Sequence, residues 1–287
     1  MTGPEPPRVV SDLHVEIWGE GAPLLLLHGF TGSAATWAPL RGALGAGRRL
    51  IAVDLLGHGA SPSPPDPADY AVEREVERLV GLLDRLSVER TSALGYSMGG
   101  RIALQLALAH PERIERLVLE STSPGIGDPV ERASRARSDG LLADLLEHEG
   151  IEPFVDRWER VPLFASQARL PAERRETLRA DRLRRDPLGL ANSLRGAGQG
   201  AAPPVLDRLG ELTTPTLLIV GALDERYVAL GRLMVERIAD AELVVVPEAG
   251  HATHLERPAA FEAAVVGFCA RATSRCHRVQ GEALAEE

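Results

Sequence analysis

The sequence predicts an α/β fold: a mostly parallel central sheet flanked by helices, with a helical segment inserted late in the chain. Three observations predict it. Short apolar runs recur along the chain, separated by helical patterns such as Val72–Leu86 and Ile102–Ala109. Strands buried on both faces read as continuous apolar runs, and their alternation with helices implies a parallel sheet. The first run behaves differently, because Leu13, Val15 and Ile17 alternate with polar residues as the edge strand of an antiparallel hairpin would. Finally, the rhythm stops between about Gly125 and Pro204, where strand patterns vanish and charged helix formers dominate.

The continuous runs are Leu24–Leu27, Leu50–Leu55, Ser92–Tyr96, Ile114–Leu119, Thr216–Val220 and Leu243–Val246. Residues 125–204 are expected to form a helical cap inserted after the sixth strand, on a core made of 1–124 and 205–287. The polar tail 273–287 is expected not to pack. Hydrophobic residues make up 44% of 287, ample for a buried core. The net charge of −9 argues against a general nucleic-acid surface. There is no basic amphipathic stretch for membrane docking, no apolar core of a signal peptide near Met1, and no run approaching the ~18–20 residues of a spanning helix. Cys269 and Cys276 lack metal-site spacing and read as reduced thiols. A cytoplasmic protein, monomeric or a small homo-oligomer, without metal or cofactor, is expected. All 32 basic residues are arginine, which excludes Schiff-base chemistry on a lysine.

The run Leu94-Gly95-Tyr96-Ser97-Met98-Gly99-Gly100-Arg101 carries the chemistry. It reads Gly-x-Ser-x-Gly between a strand and a helix, the context of a nucleophile elbow. The turn is so tight that its flanking residues must lack bulk, hence Gly95 and Gly99. Ser97 then stands at a helix N-terminus, where free N–H groups favour developing negative charge. A serine needs an imidazole to take its proton and a carboxylate to orient that imidazole. Asp224 and His251 each follow an apolar run, in the order Ser, Asp, His that this architecture uses. Both therefore stand at carboxyl ends of strands, where open α/β sheets place their sites. His254 reads as a helix-start residue beside the site, and Asp240 as a loop cap. After Leu24–Leu27, the turn His28-Gly29-Phe30 brings the Phe30 amide towards the elbow. With the Met98 amide it would form an oxyanion hole, and His28 reads as a brace for that turn.

Residues 125–204 hold thirteen arginines and thirteen acidic residues, so the rest of the chain carries the whole net charge. Most of those arginines fit a surface laced with ion pairs. Arg101, four residues after Ser97 on the elbow helix, shares its face and could hold a substrate carboxylate bidentately. The cluster Trp158 to Phe164 could pack over the substrate as a lid.

Together these residues resemble the α/β-hydrolase superfamily, and within it the 2-succinyl-6-hydroxy-2,4-cyclohexadiene-1-carboxylate synthases of menaquinone biosynthesis. The carrying motifs are Leu27–Ser33, Asp54–Ser61, Gly95–Arg101, Glu120–Ile126, Trp158–Ser166 and Leu190–Gly196. The resemblance implies a lyase that removes pyruvate from a small polycarboxylate, with Ser97, activated by His251 and Asp224, taking a carbon-bound proton. It also implies substrate contacts from Tyr96, Arg101, Arg135, Trp158 and Arg182, with Arg184 and Arg185 competing for the last role. Two stretches depart from the family. Its usual glutamine and tryptophan do not follow Gly198-Gln199-Gly200, and Ala222 replaces a usual glutamate. A serine hydrolase of small esters, lactones or carbon–carbon bonds remains an alternative, as does a small-molecule receptor on the same scaffold.

Overall fold

The computed structural model describes residues 13–271. One sheet holds seven strands: β1 (Val15–Trp18), β2 (Ala22–Leu27), β3 (Arg48–Val53), β4 (Thr91–Tyr96), β5 (Ile114–Glu120), β6 (Thr216–Gly221) and β7 (Ala241–Val246). Their spatial order is β1-β3-β2-β4-β5-β6-β7. The helices are α1 (Arg41–Leu44), α2 (Val72–Arg85), α3 (Met98–Ala109), α4 (Pro129–Glu149), α5 (Ile151–Trp158), α6 (Ala172–Leu183), α7 (Pro187–Ala197), α8 (Glu225–Val235), α9 (Thr253–Glu256) and α10 (Pro258–Ala270). None among the described residues is long and apolar enough to cross a membrane. Cys269 is a free, partly buried thiol on α10; Cys276 and the tail 273–287 lie outside the described residues.

Two sequence expectations need correction. The alternating first strand does not form a hairpin with β2. Both edges of β2 are already paired in parallel, with β3 and β4, so β1 takes the open edge of β3, Val15 opposite Val53 and Trp18 opposite Leu50. The helical insertion leaves the sheet after β5, the fifth strand rather than a sixth, because a single strand precedes the parallel series.

The run Leu24–Leu27 shows how the sheet divides its core. Successive side chains on a strand point to opposite faces. Leu25 and Leu27 pack with Ile51, Leu79 and Ile102 on one face, and Leu24 and Leu26 with Trp37, Leu50 and Phe261 on the other. All four leucines are fully buried, each stabilising by roughly 1.5–3 kcal/mol relative to exposure. Helix α2 covers the first face with Val72, Val76, Leu79 and Leu83, one apolar stripe at helical spacing.

Loops at the carboxyl ends of the strands are held by buried polar groups. Asp54 accepts hydrogen bonds from the Ala34 amide (2.6 Å) and the Ala60 amide (2.8 Å). Glu75 of α2 accepts from the Leu56 amide at 3.1 Å and pairs with Arg78 at 3.0 Å. Above these loops, α4, α5 and α7 enclose a small core of Ala143, Leu146, Phe154, Val155, Leu190 and Leu194, against which Phe30 and Trp158 pack. Local sequence starts these helices: Asp128 and Asp186 cap α4 and α7, each followed by proline at the first helical position.

Candidate active site

Strand β4 ends at Tyr96 and α3 begins at Met98, so the chain reverses within Ser97. Ser97 has φ +50° and ψ −103°, a left-handed conformation costing a non-glycine residue on the order of 1–3 kcal/mol. The neighbours allow it because they lack side chains. A Cβ on Gly95 would stand 2.6 Å from the Gly100 Cα, and one on Gly99 would stand 2.5 Å from the His28 carbonyl oxygen. The Ser97 amide donates to the Glu120 carbonyl at 2.8 Å, tying the elbow to β5.

His251, in the loop after β7, lies with Nε2 3.0 Å from Ser97 Oγ and Nδ1 2.7 Å from Asp224 Oδ2. A carboxylate oxygen only accepts, so Nδ1 carries the hydrogen and Nε2 offers its lone pair to the serine hydroxyl. The other Asp224 oxygen accepts from the Tyr227 amide at 3.3 Å, as the N-cap of α8. The ring of Tyr227 stands edge-on to the imidazole, centroids 4.5 Å apart. Asp240 is at the opposite end of the sheet, where its carbonyl accepts from the Thr216 amide. The segment after His251 is anchored by Glu120, whose buried carboxylate accepts from Thr253 Oγ1 (2.6 Å), the His254 amide (2.9 Å) and His254 Nδ1 (2.8 Å).

Phe30, in the turn after β2, and Met98, the residue after Ser97, both line the cavity at Ser97. His28 holds the Phe30 turn: its Nε2 accepts from the Leu55 amide at 3.1 Å and its Nδ1 donates to the Gly29 carbonyl at 2.8 Å. Burial lowers its pKa to about 3. His58, 5.1 Å away ring to ring, donates from Nδ1 to the Leu56 carbonyl at 3.0 Å. Burial, and then the adjacent His28, lower its pKa to about 3 as well.

One chamber opens on this machinery and a second adjoins it. The proximal one, about 220 Å³, contains Ser97, Met98, His251, Arg101, Arg135, Gln199 and Tyr227. Arg101 is buried, donates from one Nη to the Ala197 carbonyl at 2.9 Å, and leaves Nε without a partner. It has no ion pair among the described residues, and burial lowers its pKa. Arg135 shares its charge with Asp139 at 2.8 Å and reaches Gln199 Oε1 at 3.4 Å. The distal chamber, about 250 Å³, is lined by Thr36, Gln167, Arg182, Arg185 and His254 among others. Phe30, Tyr96, Trp158 and Phe164 form the wall common to both. Arg182 lines the distal chamber, 6.0 Å over the Phe164 ring, whereas Arg184 is exposed, pairs with Asp181 and lines neither.

Spacing does not single out Gln199 or Tyr227. The glutamine, between two glycines, donates to the Tyr227 hydroxyl at 2.8 Å, and burial raises the pKa of that phenol. The only local signal is that Tyr227 falls in the first turn of the helix capped by Asp224.

The model of the α/β hydrolase fold family matches residues 22–258. The chain is 41% identical over 245 residues, 85% of its length and 89% of the other's, to a Bacillus subtilis (strain 168) protein named "Putative 2-succinyl-6-hydroxy-2,4-cyclohexadiene-1-carboxylate synthase". It is 32% identical to the synthase of that name from Salmonella heidelberg (strain SL476), covering 83% of this chain and 90% of that protein. Among solved structures, MenH from S. aureus superposes with a TM-score of 0.86 at 34% identity, covering 89% of this chain and 97% of that one. The chain belongs to the α/β hydrolase fold family and, within it, to the 2-succinyl-6-hydroxy-2,4-cyclohexadiene-1-carboxylate synthases.

Proposed function

We propose that this protein eliminates pyruvate from 2-succinyl-5-enolpyruvyl-6-hydroxy-3-cyclohexene-1-carboxylate, giving 2-succinyl-6-hydroxy-2,4-cyclohexadiene-1-carboxylate. The ring positions in the two names define the step. One double bond at C3 becomes two, at C2 and C4. The hydrogen at C2 leaves as a proton, its electrons form C2=C3, the former C3=C4 pair forms C4=C5, and the C5–O bond breaks. The leaving enolpyruvate takes up a proton to become pyruvate.

In this reading Ser97 Oγ takes the C2 proton as its own passes to His251 Nε2, and Asp224 holds Nδ1–H. The C2 carbanion is adjacent to the succinyl carbonyl, so negative charge develops on that oxygen, where the Phe30 and Met98 amides would receive it. Each such donor typically contributes about 10²–10³ in rate. The segment 125–204 serves as a cap on the core of 1–124 and 205–287, supplying Arg135 and Trp158 to the substrate beside Tyr96 and Arg101. A polyanionic substrate does not cross a bilayer unaided, so we place the reaction in the cytoplasm.

One observation favours this over ester hydrolysis, which the same triad serves: buried Arg101, with no carboxylate partner among the described residues, lines the chamber that holds Ser97. An unpaired buried cation is costly unless the ligand neutralises it, and a neutral ester would not. The test supplies the purified protein with the succinylated intermediate and assays pyruvate, alongside Ser97→Ala. Pyruvate release that falls at least ~10³-fold in the variant is expected. Absence of pyruvate, together with rapid turnover of aryl esters, would assign the triad to hydrolysis.

A further inference from the structure

Three arginines line the distal chamber. Arg174 has no hydrogen bond or ion pair among the described residues to hold it at the wall, whereas Arg182 and Arg185 are both held by the protein, with their charges balanced differently. Arg182 donates to Glu159 at 3.0 Å and to Gln167 at 3.3 Å. Glu159 also receives Arg179 at 2.8 Å, so this corner is an ion-pair network already satisfied by the protein. Arg185 has no ion pair among the described residues. Its Nε donates to the Thr31 carbonyl at 3.1 Å and one Nη to Ser33 Oγ at 3.0 Å, both neutral acceptors. Asp181 lines the same chamber, but Arg184 engages it. Burial lowers the pKa of Arg185, and the carboxylates of Asp181 and Asp54, neither of them paired to it, offset only part of that shift.

The remaining Nη of Arg185 has no acceptor among the described residues, while the other two nitrogens fix the guanidinium at the Thr31–Ser33 turn. Arg185 lines a cavity that shares the wall of Phe30, Tyr96, Trp158 and Phe164 with the chamber holding Ser97. We propose that the distal chamber is a carboxylate subsite and that Arg185, rather than Arg182, is its receptor and a determinant of substrate specificity. The identity of the ligand as one arm of a polycarboxylate substrate rests on the lyase reading. The subsite itself rests on the unpaired guanidinium. The same residue also braces the Thr31–Ser33 turn, so a purely structural role makes a different forecast that can be separated by measurement.

The experiment titrates succinate, a four-carbon dicarboxylate, into the wild-type protein, Arg185→Gln, Arg185→Lys and Arg182→Gln by calorimetry, with pyruvate release measured in parallel. A lost charge-assisted hydrogen bond predicts succinate affinity about tenfold to a hundredfold weaker in Arg185→Gln. Lysine should recover part of that loss, since it restores the charge without the fork. Arg182→Gln should change affinity by less than about threefold. With the full substrate, Arg185→Gln should act mainly on KM. Unchanged succinate affinity in Arg185→Gln overturns the proposal, wherever succinate sits. A larger loss in Arg182→Gln overturns the choice of receptor. Equal falls in kcat for the glutamine and lysine variants, with succinate binding intact, reduce Arg185 to a brace. Arg185-dependent succinate binding in a protein that releases no pyruvate keeps the subsite and removes the lyase reading.

Discussion

Acid should destabilise this protein through the two histidines beneath the Phe30 turn. His28 and His58 are buried, with pKa values lowered to about 3 from an ordinary value of 6.5. The folded state resists their protonation, whereas the unfolded chain takes protons up below pH 6.5. Stability is therefore full above that value and falls as pH drops towards 3. Between those limits two histidines give a slope of about 3 kcal/mol per pH unit. Allowing for partial protonation near pH 6.5, the loss from pH 7 to pH 5 is about 2 kcal/mol per histidine, or about 4 kcal/mol for the pair. Urea unfolding of the wild type and His58→Asn at both pH values measures it. Asparagine can still donate to the Leu56 carbonyl but cannot titrate, and comparing the two proteins cancels the other groups, Glu75 included. The variant should lose about 2 kcal/mol less than the wild type on acidification. Equal losses would refute the buried-neutral assignment of His58.

Three further outcomes follow from the site. Asp224→Asn should lower kcat by about 10³–10⁴-fold, because an amide does not hold the Nδ1–H tautomer; a loss under tenfold removes Asp224 from the triad. Arg101→Gln should raise KM for the succinylated substrate about tenfold to a hundredfold while leaving p-nitrophenyl acetate hydrolysis within about threefold, and parallel losses on both substrates would show a structural effect instead. Gly95→Ala drives a Cβ into the backbone of α3, 2.6 Å from the Gly100 Cα. It should cost at least ~3 kcal/mol, or about 10 °C in Tm for a protein of this size. A melting point within 3 °C of the wild type, on the same scale, would mean that the elbow relaxes more easily than its packing implies.

What the sequence revealed was what local geometry compels. A reversal within one residue demands Gly95 and Gly99, strand ends place Asp224 and His251, and helical spacing brings Arg101 to the face of Ser97. What it concealed depends on distant partners. The pairing of β1 with β3 follows from β2 having no free edge, which a hydrophobic pattern does not record. Arg182 and Arg185 look alike in sequence, and only the ion pair to Glu159, 23 positions away, tells them apart. The anchoring of His254 by Glu120 spans 134 residues. Gln199 is a polar residue between two glycines until Tyr227 and Arg135 meet it.

The clasp between Glu120 and the Thr253–His254 step has a mechanical meaning. Hydroxyl, imidazole and carboxyl group all hang from strand termini, and that clasp rivets the imidazole's loop to the central scaffold rather than to the helices overhead. The proton relay is thus aligned chiefly by the sheet, and a reactant meets a base whose geometry was set when the strands came together.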